Sequence, residues 1–229
     1  MNLVKLVVII PALNEEGSIG GVVAAVPRDV VSDIIVVDNG STDRTAEVAA
    51  AAGARVVGEA ERGYGAACRA GLEAARGAEI LVYLDGDASD RPEELPLVLG
   101  PIVSGEADLV VGSRLLGRRE AGAMPPHAVF GNWLAARVVR LLYGVPITDL
   151  GSFRAIRRSA LLDLGMKERT YGWPVEMIVK AARRGYRIRE VPVTHRKRVG
   201  RSKVAGTLAG SLKAAYFILF TAFRHAIRH

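Results

Sequence analysis

Residues 80–90 read ILVYLDGDASD. Five apolar residues run straight into Asp85-Gly86-Asp87, and Asp90 follows three residues later. An apolar run without period-two alternation reads as a strand covered on both faces, here over 79–85. Its end is unusual, because two carboxylates one residue apart repel and call for a cation or abundant water. The pattern repeats on either side. KLVVIIPA (5–12), DIIVVD (33–38), ARVVG (54–58) and ADLVVGS (107–113) are further strands. Between them lie helical stretches: EEGSIGGVVAAVP ended by Pro27, STDRTAEVAAAAG with Ser41 or Thr42 as N-cap, GYGAACRAGLEAARG ending at Gly77, and RPEELPLVLGPIVSG opening near Pro92. Buried strands alternating with helices predict a doubly wound α/β fold, a mostly parallel sheet with helices on both faces.

Such a sheet binds ligands outside the C-terminal ends of its strands. Those ends carry Pro11, Asn14 and Glu15, then Asp38 and Asn39, then Asp85 and Asp87, then Ser113 and Arg114. Gly86 lets the chain turn sharply, so Asp85 and Asp87 can converge on one hard divalent cation, Mg²⁺ or Mn²⁺. The plainer reading is a polar turn that ends a strand; Asp38 at a second strand end favours the cation. Asp38 can also accept hydrogen bonds from a nucleobase or ribose. Ser41 and Asp43 read as helix caps, and Asp90 as the cap region of the helix at Pro92.

The chain has 229 residues, 50% of them hydrophobic, enough for one large domain. Its single cysteine, Cys68, excludes an internal disulfide and reads as a small buried helix residue. The opening residues do not read as a leader peptide, so none is expected, and no apolar run approaches the ~20 residues of a spanning helix. Charge is divided: residues 1–110 hold 8 Lys/Arg and 18 Asp/Glu, the remainder 23 and 6. An acidic half suits a metal, and a basic half suits anionic groups. In that second half, 115–127 reads as a loop. AVFGNWLAARVVRLLYG (128–144) reads as a helix with an apolar stripe through Trp133, Leu134, Val138, Leu141 and Leu142. ITDLGSFRAIRRSALLDLG reads as a short strand and helix, WPVEMIVKAARRG (173–185) as a helix with Pro174 in its first turn, and YRIREVPVTHR as an alternating strand. HRKRVGRSK puts five Lys/Arg between 196 and 203 in a flexible loop. No aromatic residue interleaves with that charge, so nucleic acid is not expected as a partner.

PALNEE, VVDNGSTDRT, RGYGAACRAGLEAARG, LDGD and ADLVVGSR occur in the order and spacing seen in family 2 glycosyltransferases, and the chain resembles that family over residues 5 to 205. TDLGSFRAIRRSAL, YGWPVEM and HRKRVGRSK look like the polyprenyl-phosphate sugar synthase branch, typified by dolichyl-phosphate mannose synthase. The resemblance implies a GT-A fold over 1–205 and inverting transfer of a hexose from a nucleotide sugar, GDP-mannose or a UDP-hexose. It implies a polyprenyl-phosphate acceptor at the cytosolic face of the plasma membrane. Pro11, Ala12, Asn14, Glu15, Asp38, Gly63, Asp85 and Gly86 are then nucleotide-binding. Asp85 and Asp87 hold Mg²⁺ or Mn²⁺ against the diphosphate. Arg114, His127, Arg154, Arg198, Arg201, Ser202 and Lys203 meet the acceptor or phosphates. His127 follows Pro126 where the branch tends to carry a basic pair.

Displacing a nucleoside diphosphate builds negative charge on the leaving group, which a metal and cations such as Arg114 stabilise. A hydroxyl acceptor, a small metabolite or glycan, needs a base, and Glu176 is the candidate. Its plainer reading is an ion-paired helix residue beside Arg154. A phosphate acceptor is largely a dianion at neutral pH and attacks unaided. The basic loop is expected to clamp the diphosphate or to grip an acceptor phosphate. The last stretch, 206–229, reads as an apolar helix with a basic end, suited to packing on the domain, pairing in a homodimer or lying in a membrane interface.

Overall fold

The computed structural model describes residues 4–200, 220–222 and 224. Seven strands form one sheet: β1 (Leu6–Ala12), β2 (Asp33–Asp38), β3 (Arg55–Gly58), β4 (Ile80–Tyr83), β5 (Leu109–Ser113), β6 (Arg154–Arg157) and β7 (Ile188–Pro192), in the order β3-β2-β1-β4-β6-β5-β7. All neighbours are parallel except β6, which runs antiparallel to both β4 and β5. The helices are α1 (Ile19–Ala25), α2 (Thr45–Ala51), α3 (Tyr64–Ala74), α4 (Leu95–Val103), α5 (Pro126–Tyr143), α6 (Arg158–Leu164) and α7 (Trp173–Arg183), and a 3₁₀ turn at Pro92–Glu94 leads into α4.

The apolar strands are explained by a core on each side of the sheet. Val7, Ile9, Ile35 and Val37 point towards α3 and α7. Val8, Ile10, Ile34 and Val36 point towards α1 and α4. Alternate side chains enter opposite cores, so both sets must be apolar. Helix α3 lies tight on β1: a Cβ on Gly71 would come within 2.3 Å of Ile9 Cγ2.

Three expectations are corrected. No side chain of Ser41 or Thr42 caps α2, which starts at Thr45; Asp43 accepts from the Thr45 N–H at 3.0 Å instead. The bulky stripe of α5 faces outward. Trp133 and Leu141 are 48% and 74% exposed, while the small residues Ala135, Ala136 and Val139 face the core. Small side chains let the helix approach α7, and this closeness decides the buried face over hydrophobic bulk. The basic segment is tied down where it is described: Arg196 N–H donates to Ser89 O and Val199 N–H to Asp87 O. Arg201, Ser202 and Lys203, like most of the 206–229 stretch, lie outside the described residues. Of the described residues in that stretch, Thr221 and Ala222 are buried on the domain, the Tyr143 hydroxyl donates to Ala222 O, and Arg224 lies 3.8 Å from Glu168.

Candidate active site

The C-terminal edge of β1, β2 and β4 gathers most of the sequence-predicted residues. Pro11 and Ala12 stand beside Val37 and Asp38 in register. Asn14, with φ at +51°, turns the chain off β1 and accepts from Thr42 N–H at 2.8 Å. Asp38 accepts from Ser41 N–H at 3.0 Å. The Glu15 N–H donates to Thr45 Oγ1 at 2.8 Å, so the first loop is fastened to the second. Ser18 fastens it to the third, its hydroxyl donating to Gly86 O at 2.8 Å.

The carboxylate turn is more acidic than its D-G-D tripeptide. Asp90 does not cap the following helix; its side chain turns inward and is buried. It accepts from Asp85 N–H at 3.2 Å, and Ser152 Oγ donates to Asp85 at 2.8 Å. Burial, then repulsion from Asp87, raises the Asp85 carboxyl to about 6. Burial, then repulsion from Asp85 and Asp87, raises Asp90 to about 8. His195 closes the far side, its Nδ1 4.0 Å from Asp90 and without a hydrogen-bond partner. Burial and then Arg114 lower His195 to about 4, so it is neutral.

Two arginines face this surplus of negative charge. Arg114 is gripped at both ends by the buried Asp149, with Nε and Nη2 bonds of 2.8 and 2.7 Å. Burial opposes its charge and Asp149 more than offsets that, so Arg114 stays a cation. Arg198 reaches in from the basic segment, its Nη2 2.9 Å from Asp87 and 3.4 Å from Glu15. Among the described residues no three His, Cys, Asp or Glu side chains make a finished metal site. Asp85 and Asp87 are the two carboxylates that could hold a Mg²⁺ completed by water and substrate phosphates. The Arg198 guanidinium already stands against Asp87 at 2.9 Å.

Other predicted residues lie elsewhere. Arg154 is 1% exposed and donates to the carbonyls of Pro174 and Gly151, so it holds loops together. Glu176 is fully buried; it accepts from the N–H groups of Lys167 and Glu168 at 3.0 and 2.7 Å and pairs with Lys180 at 2.6 Å. A carboxylate so engaged is an anchor for the 166–170 loop, not an exposed base. That loop presses on Gly63, where a Cβ would sit 2.1 Å from Arg169 O, and the Gly63 N–H is bonded to Asn39 at 2.8 Å. Gly63 therefore shapes the wall of the site with its own N–H already used. His127 is exposed in the first turn of α5, and no hydrogen bond or ion pair among the described residues joins it to the edge. Sequence reasoning missed Ser18, Asp149, Ser152 and His195; the last three lie inside the TDLGSFRAIRRSAL and HRKRVGRSK motifs, and Ser18 carried no signal.

The family model for glycosyl transferase family 2 matches residues 7–165. An uncharacterized glycosyltransferase of Mycobacterium tuberculosis is 42% identical over 90% of this chain and 93% of its own length. The undecaprenyl-phosphate mannosyltransferase of Micrococcus luteus is 35% identical over 90% of each chain. Among solved structures, glucosyl-3-phosphoglycerate synthase from Mycobacterium tuberculosis, in complex with Mn²⁺, UDP-glucose and phosphoglyceric acid, superposes with a TM-score of 0.79. It is 26% identical and covers 97% of this chain and 79% of its own. With its GT-A architecture and acidic strand edge, the chain belongs to glycosyl transferase family 2.

Proposed function

We propose that this enzyme transfers a hexose from a nucleotide sugar to a polyprenyl phosphate, with inversion, while peripheral on the cytosolic membrane face. The observation that carries the acceptor is the outer face of α5. Phe130, Trp133, Leu134 and Leu141 are exposed there, with the exposed Arg137 and Arg140 among them. Apolar and cationic side chains together suit an anionic lipid surface, where a polyprenyl chain resides. Among the described residues no helix is long and apolar enough to cross a membrane. The acceptor named for the Micrococcus relative supports the same reading.

The residues divide the work. Asp38 keeps one oxygen on Ser41 N–H and offers the other to a ribose or base. Asp85 and Asp87 are the metal ligands; Mg²⁺ or Mn²⁺ bound there would neutralise charge on the departing nucleoside diphosphate. Arg114, oriented by Asp149, presents a fixed cation to the phosphates without reorganising. An acceptor phosphate has its second pKa near ~6, so it attacks without a base. This agrees with the engagement of Glu176.

A second reading is a small phosphorylated acceptor used through its hydroxyl, favoured by the phosphoglyceric acid bound in the solved neighbour. A panel of GDP- and UDP-sugars with Mn²⁺, offered a short polyprenyl phosphate or 3-phosphoglycerate, separates the two. Sugar on the lipid phosphate, with inverted anomeric configuration, is the expected product. Glycosylated phosphoglycerate with no lipid product would overturn the proposal.

A further inference from the structure

Arg198 occupies an unexpected place for a residue meant to clamp phosphate. Its Nη2 lies 2.9 Å from Asp87 Oδ2, the very carboxylate assigned to the metal, and 3.4 Å from Glu15 Oε1. The backbone holds it there: Val199 N–H donates to Asp87 O at 2.9 Å and Arg196 N–H to Ser89 O at 2.8 Å. Val199 Cγ1 also lies 3.6 Å from where a Cβ on Gly17 would stand, so the segment seats against both loops that bear the acidic residues. The fit is incomplete, because the Arg198 Nε is buried without a hydrogen-bond partner. A guanidinium with an unmade bond gains by moving to a ligand that accepts at two nitrogens, as a diphosphate does.

We propose that Arg198 is a placeholder cation: before the donor arrives its guanidinium takes the position on Asp87 that the divalent metal requires, and the donor's diphosphate draws it away. This rests on the reading of Asp87 as a metal ligand. Two cations cannot share one carboxylate oxygen without strong repulsion. Free metal therefore binds weakly, and metal and nucleotide enter together. The device keeps the acidic turn neutralised while the site is open to water. It also delays assembly of the charged transfer machinery until a diphosphate is present.

The test is Mn²⁺ titration of the metal-free full chain, with free Mn²⁺ read by electron paramagnetic resonance, alone and with saturating UDP or GDP. Arg198→Gln is expected to bind Mn²⁺ about two- to fivefold more tightly than the native chain without nucleotide, the range a partly exposed ion pair supports. With nucleotide the advantage shrinks or reverses, because Arg198 then serves the diphosphate. Mn²⁺ should also raise the melting temperature of Arg198→Gln more than that of the native chain. Equal or weaker Mn²⁺ binding by Arg198→Gln without nucleotide overturns the placeholder. Arg198→Lys, which keeps the charge but shortens the reach, gives the same comparison at smaller amplitude should the glutamine variant not fold. Failure of the metal reading looks different: the native chain then retains no Mn²⁺ with either nucleotide, or Asp87→Asn binds it unchanged.

Discussion

Asp90 and Glu176 exchange the roles their sequence positions suggest. Asp90 precedes a helix yet joins the acidic turn, whereas Glu176 sits in a catalytic-looking motif yet anchors a loop. Asp87→Ala should abolish metal-dependent transfer while circular dichroism stays native, and a working variant would remove the turn from the mechanism. Glu176→Gln keeps the shape but pits an amide N–H₂ against backbone donors. It should lower stability by about 1–3 kcal/mol with near-normal turnover of the folded fraction. Lost turnover at an unchanged melting temperature would restore a base role. Ala88 holds a left-handed φ of +62° beside Asp87. Ala88→Gly removes a Cβ penalty of about 1 kcal/mol, so the variant should melt higher. The strand-end carboxylates were legible because they interrupt apolar runs. Asp149 and Ser152 were not, because their partners, Arg114 and Asp85, are distant in sequence and meet only through folding.

At the scale of elements, periodicity located the strands and most helices, since the burial of a two-sided sheet writes itself directly into apolar runs. It did not reveal that β6 runs antiparallel, because a short strand reads the same in either direction. Nor did it orient α5. Hydrophobic bulk marks a face that avoids water, and a lipid surface satisfies that as well as a core does. Trp133→Glu combined with Leu141→Glu should therefore cost no more than about 1 kcal/mol of stability, about 0.5 kcal/mol for each exposed position. The same pair should release the protein from anionic liposomes in a sedimentation assay. Retention equal to the native chain would detach α5 from the membrane role.

For the molecule as a whole, the acidic edge sets a pH dependence. A carboxyl whose folded pKa lies above its unfolded value binds its proton more tightly when folded, so its contribution is present at low pH and fades as pH rises to that folded pKa. Asp85 fades from about 4 to about 6, and Asp90 from about 4 to about 8. His195, lowered from 6.5 to about 4, works the other way between those values but is one group against two. The melting temperature of the metal-free protein should thus fall from pH 4 to 8, and Asp90→Asn should flatten the stretch above 6.5. The division into an acidic first half and a basic second half was legible from composition; their meeting at Asp87 and Arg198 required the fold.

The strand order carries a consequence for synthesis on the ribosome. β4 and β5 follow one another in sequence, yet the slot between them belongs to β6, which begins at Arg154. A nascent chain that has emerged only through β5 leaves β4 with an open edge and β5 with neither of its partners, β6 and β7. Ser152, which holds Asp85, arrives just before β6 does. The acidic edge is thus among the last parts to be secured, and a chain truncated before it should aggregate rather than bind nucleotide.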